Sequence, residues 1–221
     1  MKSILVVGMG ILGRHLARKM QAMGNDVMIV DENEEVIQEL SPEFSDCFVG
    51  DCTNEGVVRS LGVNNFDCCF VTVDGDFYAT LEITSILKEM GANYVVSKAS
   101  RSRQAKFLKN VGADEVFYPE KEIAEKLAVR YNANNIFDYM ELTSEYSMYE
   151  IAILPEWVGK TILELNVRQR YGVNIIAIKN GNNLNPSPYG NYVFQEDDHV
   201  MVIGHAAEAF DLSTKATKKA D

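Results

Sequence analysis

Basic residues are too few in this chain for a nonspecific nucleic-acid binder. It has 21 lysines and arginines against 32 aspartates and glutamates, which gives a formal net charge of -11 at pH 7. Because neutralising nucleic-acid phosphates requires a basic face, we expect no nucleic-acid partner. The sequence also lacks an N-terminal signal pattern and any apolar run of roughly 18 residues, the length of a membrane-spanning helix. We therefore expect a cytoplasmic protein.

Cysteine and histidine are scarce as well. The four cysteines (Cys47, Cys52, Cys68 and Cys69) form no C-x-x-C or zinc-ligand spacing, and the three histidines are scattered. We expect reduced, mostly buried cysteines. Cys52 differs from the others because it follows Asp51 at a predicted strand end. The sequence also lacks an evident acid-base residue for hydride transfer, so binding without chemistry is the better interpretation, with no catalytic residues.

A glycine-rich motif follows the first apolar run. Gly8-x-Gly10-x-x-Gly13 comes directly after that run and opens a helical pattern, and Asp31 ends the next apolar run about 20 residues later, as in the dinucleotide fingerprint. Gly8 permits a tight turn, Gly10 lets the backbone approach a phosphate, and Gly13 lets the helix lie close to the strand. Asp31 would accept hydrogen bonds from ribose hydroxyls, which disfavours NADP. The alternative is an ordinary turn with Asp31 as a helix N-cap before Asn33.

Apolar runs of strand length alternate with helical patterns up to about residue 134. Strands are predicted at 3-8, 26-31, 46-50, 67-73, 93-97 and 115-118, with helices after each. Continuous apolar runs are typical of a parallel sheet covered on both faces, so the fold class is α/β, a Rossmann-like doubly wound parallel sheet.

A ligand of such a sheet lies beyond the carboxyl ends of its strands. The predicted cofactor-binding residues are Gly8, Met9, Gly10, Ile11, Leu12, Gly13, Asp31, Glu32, Asn33, Asp51, Cys52, Thr72, Val73, Asp74, Lys98 and Arg101. Lys98 and Arg101 would reach phosphates from above the sheet. Alternatively, they are solvated basic residues at a helix start.

The pattern changes after residue 134. Strands at 136-143, 147-154, 173-179 and 199-203 and a helix at 161-171 indicate a second, smaller α+β module. We predict a nucleotide-binding domain at 1-134, a hinge at 135-139 and a ligand-binding domain at 140-213. The tail 213-221 is expected to fray.

Seven segments together resemble the KtrA/TrkA-like regulatory subunits of bacterial Ktr/Trk potassium uptake systems, which are built from an RCK N-domain and an RCK C-domain. The resemblance covers about residues 1-213. It is carried by the glycine motif, Val30 to Asn33, Gly50 to Thr53, Lys98-Ala99, Gly112 to Asp114, Tyr118 to Lys121, and Leu165 to Gly172.

The resemblance implies a non-enzymatic gating subunit. Its RCK N-domain would bind ATP, ADP or NAD(H), and Glu120 would be a metal ligand for a hard cation such as Mg²⁺. Subunits would dimerise through the helix after Pro119, assemble into an octameric ring and dock on a membrane potassium-translocating subunit of the KtrB/TrkH type. Relatives often carry an arginine at the position of Ile11; its absence favours NAD(H) or AMP-containing ligands.

The second module resembles family C-domains that bind cyclic di-AMP. The residues implied for this second ligand are Leu163, Arg168, Asn174, Ile175 and Pro188. An arginine against phosphate and apolar walls against bases suit such a ligand, although the same apolar residues are also typical of a core. Two other functions stay open: an NAD-dependent oxidoreductase or NAD(H) redox sensor, and a nucleotide sensor without a channel.

Overall fold

A computed structural model describes residues 1–132 and 135–215, with the side chains of 214 and 215 left aside. The chain divides into two compact units between Lys121 and Glu122. In the described part of the chain, no helix is both long enough and apolar enough to cross a bilayer.

The first unit alternates strands and helices, as the apolar runs predict. Its strands are β1 (Ser3–Val7), β2 (Asp26–Asp31), β3 (Asp46–Val49), β4 (Cys68–Val71), β5 (Val95–Lys98) and β6 (Glu115–Phe117). Its helices are α1 (Ile11–Ala22), α2 (Glu34–Leu40), α3 (Glu55–Leu61), α4 (Phe77–Glu89) and α5 (Ser102–Asn110), and α6 (Pro119–Asn132) begins in it. Within the described residues the strands form one parallel sheet in the order β3-β2-β1-β4-β5-β6. This order confirms the doubly wound fold and puts the ligand crevice between β1 and β4.

The sequence of strand β1 is continuously apolar because both of its faces are buried. Leu5 and Val7 pack on one face of the sheet with α4 residues such as Leu87. Ile4 and Val6 pack on the other face with residues of β2 and α2. A strand buried on both faces has no polar side to alternate with.

The second unit is the smaller α+β module. It contains β7 (Ile136–Glu141), β8 (Tyr146–Ala152), α7 (Ile162–Leu165), α8 (Val167–Tyr171), β9 (Asn174–Asn180), β10 (Asn183–Asn185), β11 (Asp198–His205) and α9 (Ala206–Lys215). Its described strands form an antiparallel sheet in the order β10-β9-β11-β8-β7, and the fully buried Trp157 lies in its core.

One difference from the sequence prediction has a local cause. The helix predicted at 161–171 is divided at Asn166, whose φ of 47° is left-handed and ends α7 before α8 begins. Strand β7 lies within the strand predicted at 136–143, and Ile136 pairs with Ile151 there. Residue 134 and most of the tail 213–221 lie outside the described residues. The domain limits at 134 and 140 stay predictions.

Candidate nucleotide site

The glycine motif at the junction of β1 and α1 requires glycine at two positions. Gly8 has a φ of 93°, and a Cβ added to it would lie 2.8 Å from the backbone nitrogen of Val73. A Cβ on Gly13 would overlap the carbonyl oxygen of Gly8 and lie 2.8 Å from Oγ1 of Thr72. That Thr72 hydroxyl donates to the Gly8 carbonyl at 2.7 Å, so it holds the loop from beneath. The loop therefore presents its backbone at the start of α1.

Asp31 connects the glycine loop to the end of β2. Its carboxylate accepts hydrogen bonds from the backbone nitrogens of Met9 at 2.6 Å and Asn33 at 2.9 Å. The N-cap of α2 is Asn33, which accepts from the Glu35 backbone nitrogen, so the alternative of Asp31 as the N-cap is wrong. A carboxylate has about four acceptor positions, which leaves two of them for ribose hydroxyls.

A cavity of about 550 Å³ opens at the crevice between β1 and β4. Its size is within the range of small-molecule sites. The predicted residues that line it are Gly8, Met9, Gly10, Asp31, Glu32, Asn33, Asp51, Cys52, Val73 and Asp74. Sequence reasoning missed Val7, Val36, Ala79 and Ile83, whereas Gly50, Thr53 and Asp76 lie in loops predicted to border the adenosine but were not among the predicted binding residues. The sequence indicates Asp76 as well, because an aspartate between a strand and a helix is typical of a helix N-cap. In the structure Asp76 caps α4 by accepting a hydrogen bond from the Ala79 backbone nitrogen.

The other predicted residues lie around the cavity rather than in its lining. Ile11 is 79% exposed at the start of α1, and Arg101 is the exposed N-cap of α5. Leu12 and Gly13 lie within α1, and Thr72 is buried beneath the loop.

Arg14, directly after the glycine motif, is already engaged inside the protein. Its guanidinium donates to the Met9 carbonyl at 2.9 Å and to Glu39 at 2.8 Å.

Lys98 lies between two carboxylates. Its Nζ is 2.5 Å from Oδ1 of Asp74 and 3.0 Å from Oε1 of Glu120. Burial alone would lower the pKa of Lys98, but the hydrogen bonds to Asp74 and Glu120 outweigh it, so its pKa is raised. The hydrogen bond between Lys98 and Glu120 also lowers the pKa of Glu120. Both shifts favour the charged forms of Lys98 and Glu120 at neutral pH.

The cavity is acidic. Five of its lining residues are carboxylates, and none of the described lining residues is basic. The acidic residues are Asp31, Glu32, Asp51, Asp74 and Asp76.

Cys52 lies in the same lining and is not a nucleophile at neutral pH. Burial, with the nearby charges of Asp51 and Asp31, raises the pKa of its thiol to about 12. Because the thiolate is the reactive form, this cysteine is inert.

A second cavity of about 270 Å³ lies in the second unit. All five residues implied for a second ligand line it: Leu163, Arg168, Asn174, Ile175 and Pro188. Leu163 is 73% exposed, and Arg168 is also exposed, so these two are not core residues. Ile175, by contrast, is partly buried and packs against the core.

Glu120 was also implied as a metal ligand. The described residues contain no group of three or more histidine, cysteine, aspartate or glutamate side chains arranged to hold a metal. Glu120 itself contacts Lys98.

Comparison with known proteins follows the same division of the chain. Residues 4–119 match the TrkA-N domain and residues 148–212 match the TrkA-C domain. The chain is 34% identical over 207 residues to Ktr system potassium uptake protein C of Bacillus subtilis, with 94% of each chain covered. It is 31% identical over 204 residues to Ktr system potassium uptake protein A of the same organism, with 92% of each covered.

Among solved structures, the GsuK channel bound to NAD has the same fold. It superimposes with a TM-score of 0.70 at 18% identity, covering 98% of this chain and 40% of the channel chain. This chain thus spans less than half the length of the channel polypeptide. The two domain matches and the identity to the Ktr proteins show that the chain belongs to the TrkA-N/TrkA-C family of Ktr and Trk potassium uptake proteins.

Proposed function

We propose that this protein is the nucleotide-binding regulatory subunit of a potassium uptake system. The observation that carries the proposal is the 34% identity to Ktr system potassium uptake protein C over 94% of both chains. The cavity at the glycine loop supplies a site for the regulating ligand. A ligand that binds two arrangements of the protein with unequal affinity shifts their populations, and this shift would control a membrane transporter.

The ligand of the first unit is an adenine nucleotide, either NAD(H) or ATP/ADP. The glycine loop at the start of α1 suits phosphates, and Asp31 keeps acceptor positions for ribose hydroxyls. Glu120 supplies one carboxylate oxygen for Mg²⁺. The rest of the coordination shell would come from phosphates and water, as is common for this ion.

The second cavity is proposed to bind cyclic di-AMP. The exposed guanidinium of Arg168 suits a phosphate, and Leu163 and Ile175 offer apolar surface to the bases. Arg168→Ala should abolish stabilisation by cyclic di-AMP in a thermal-shift assay while nucleotide stabilisation remains. Arg170→Ala is the control, since Arg170 is exposed on the same helix but does not line the cavity. Loss of both responses in Arg168→Ala would contradict two separate sites.

The protein is proposed to act as a homo-oligomer, a dimer that assembles into an octameric ring. Helix α6 supports dimerisation, because Ile123, Leu127 and Tyr131 form an exposed apolar stripe at a spacing of four residues. The ring would be cytoplasmic and would dock on a membrane subunit of the KtrB/TrkH type, without catalysing a reaction.

The test is potassium uptake in a bacterial strain that keeps the membrane subunit but lacks its own regulatory subunit. The wild-type chain should restore uptake and co-purify with the membrane subunit, whereas Asp31→Ala should fail to restore uptake. If the chain neither restores uptake nor co-purifies, but bound NADH is oxidised with a substrate, the protein is an oxidoreductase instead. If it binds nucleotide without a membrane partner, it is a free-standing sensor.

A further inference from the structure

The carboxylate of Asp74 lies where the glycine loop would receive a phosphate. A glycine at position 10 of such a loop leaves the backbone open for close approach of the ligand at the start of the helix. Here a Cβ added to Gly10 would overlap Oδ2 of Asp74 and lie 3.2 Å from its Cγ. The space created by the missing side chain therefore faces a negative charge.

Asp74 is held in this position by Lys98. Oδ1 of Asp74 is 2.5 Å from the Lys98 ammonium, while Oδ2 faces Gly10. The Lys98 side chain is only 10% exposed, and Glu120 occupies its other side. A phosphate at the loop would therefore compete with Asp74 both for the position over Gly10 and for the Lys98 ammonium.

Apart from Lys98, the surroundings of the loop supply no further positive charge to a phosphate. Position 11 carries the apolar Ile11, Arg14 is engaged with Met9 and Glu39, and the described lining residues include no base. Repulsion grows with the charge of the ligand. Each phosphate of a dinucleotide is a diester with one negative charge, whereas ADP and ATP end in a phosphate that carries roughly two at neutral pH.

We propose that Asp74 selects the ligand of the nucleotide site by phosphate charge, favouring dinucleotides such as NAD, whose phosphates are diesters, over ADP and ATP. This selection rests on the proposed nucleotide-binding function of the same cavity. It assigns the choice of ligand class to a residue outside the glycine motif.

The test compares the dissociation constants of NAD, ADP and ATP by calorimetry, with EDTA present and the ionic strength held constant. Asp74→Asn keeps the shape of the side chain and removes its charge. We expect it to tighten ADP and ATP binding on the order of tenfold relative to NAD. Asp74→Ala, which also removes the oxygen over Gly10, should shift the preference at least as far.

Asp76→Asn is the matched control. It removes the same charge from the same cavity lining, and asparagine caps α4 as well as aspartate does. It should change the preference between NAD and ADP by no more than about twofold, because the atoms nearest a Cβ on Gly10 belong to Asp74 and not to Asp76.

Two results would overturn the proposal while leaving the nucleotide site intact. One is an unchanged preference in both Asp74 variants, and the other is an equal shift in Asp76→Asn. If instead neither the wild type nor any variant binds NAD, ADP or ATP, the proposed nucleotide-binding function itself fails.

Discussion

Replacement of Asp31 by alanine should remove both roles of its carboxylate, which are to hold the glycine loop and to bind the ribose. In the structure it accepts hydrogen bonds from the backbone nitrogens of Met9 and Asn33, and in the proposed complex it also accepts from ribose hydroxyls. A hydrogen bond to a charged group contributes about 1.5–3 kcal/mol. Two ribose bonds at the lower figure contribute about 3 kcal/mol, which corresponds to a loss of nucleotide affinity of roughly 150-fold.

The same substitution should also lower stability. Met9 is only 2% exposed, so its backbone nitrogen loses its acceptor without full access to water. This costs about 1–3 kcal/mol of unfolding free energy. Asp31→Asn, which keeps one acceptor oxygen, should recover part of the stability and less of the affinity, because the charge is gone.

The assay is calorimetry with NAD and ADP, together with urea unfolding followed by circular dichroism. Asp26→Ala is the matched control, since Asp26 is exposed at the opposite end of β2, about 17 Å away at 3.3 Å per residue. It should leave affinity and stability close to those of the wild type. Affinity of Asp31→Ala within twofold of the wild type, for both nucleotides, would refute the ribose assignment.

Three further predictions concern burial. Asp198 is fully buried and accepts from Asn180, Tyr192 and the Gln195 backbone nitrogen, so Asp198→Ala should destabilise the second unit by about 3 kcal/mol. Urea unfolding followed by the fluorescence of the single tryptophan, Trp157, measures this loss of stability. The control is Asp197→Ala, at an exposed neighbouring position, which should stay within about 0.5 kcal/mol of the wild type. Equal destabilisation by the two substitutions would contradict the reasoning. Burial and the hydrogen bond to Asp198 raise the pKa of Tyr192 from 10.0 to about 12, which favours the neutral phenol in the fold. Its stabilisation is therefore complete below pH 10 and is lost as the pH rises through 12, a dependence that Tyr192→Phe should remove in the same unfolding assay. Burial raises the pKa of the Cys52 thiol to about 12, so iodoacetamide at pH 8 should label this thiol slowly in the folded protein and rapidly in urea. Mass spectrometry of the labelled peptide measures both rates. Rapid labelling of the folded protein would contradict the burial of Cys52.

The first unit was predictable because its signals are local. Each continuous apolar run became a strand of the parallel sheet, and the glycine spacing after β1 and the acid at the end of β2 placed Gly8 and Asp31 at one cavity. The division of the helix at Asn166 was missed because a left-handed residue inside a helical pattern leaves the apolar periodicity unchanged. Helix α9 was also not predicted, since it follows β11 without an intervening turn signal.

The amino-acid sequence by itself determined the order of strands and helices, the glycine loop and the acid at the end of β2, since these depend on the spacing of neighbouring residues. Only the tertiary structure decided which charges meet. Lys98, which is predicted to reach the phosphates, lies between Asp74 and Glu120, and Arg14 is engaged with Glu39, 25 positions away. The physical reason is that a parallel sheet brings the ends of distant strands to one edge, where opposite charges pair according to their positions in space.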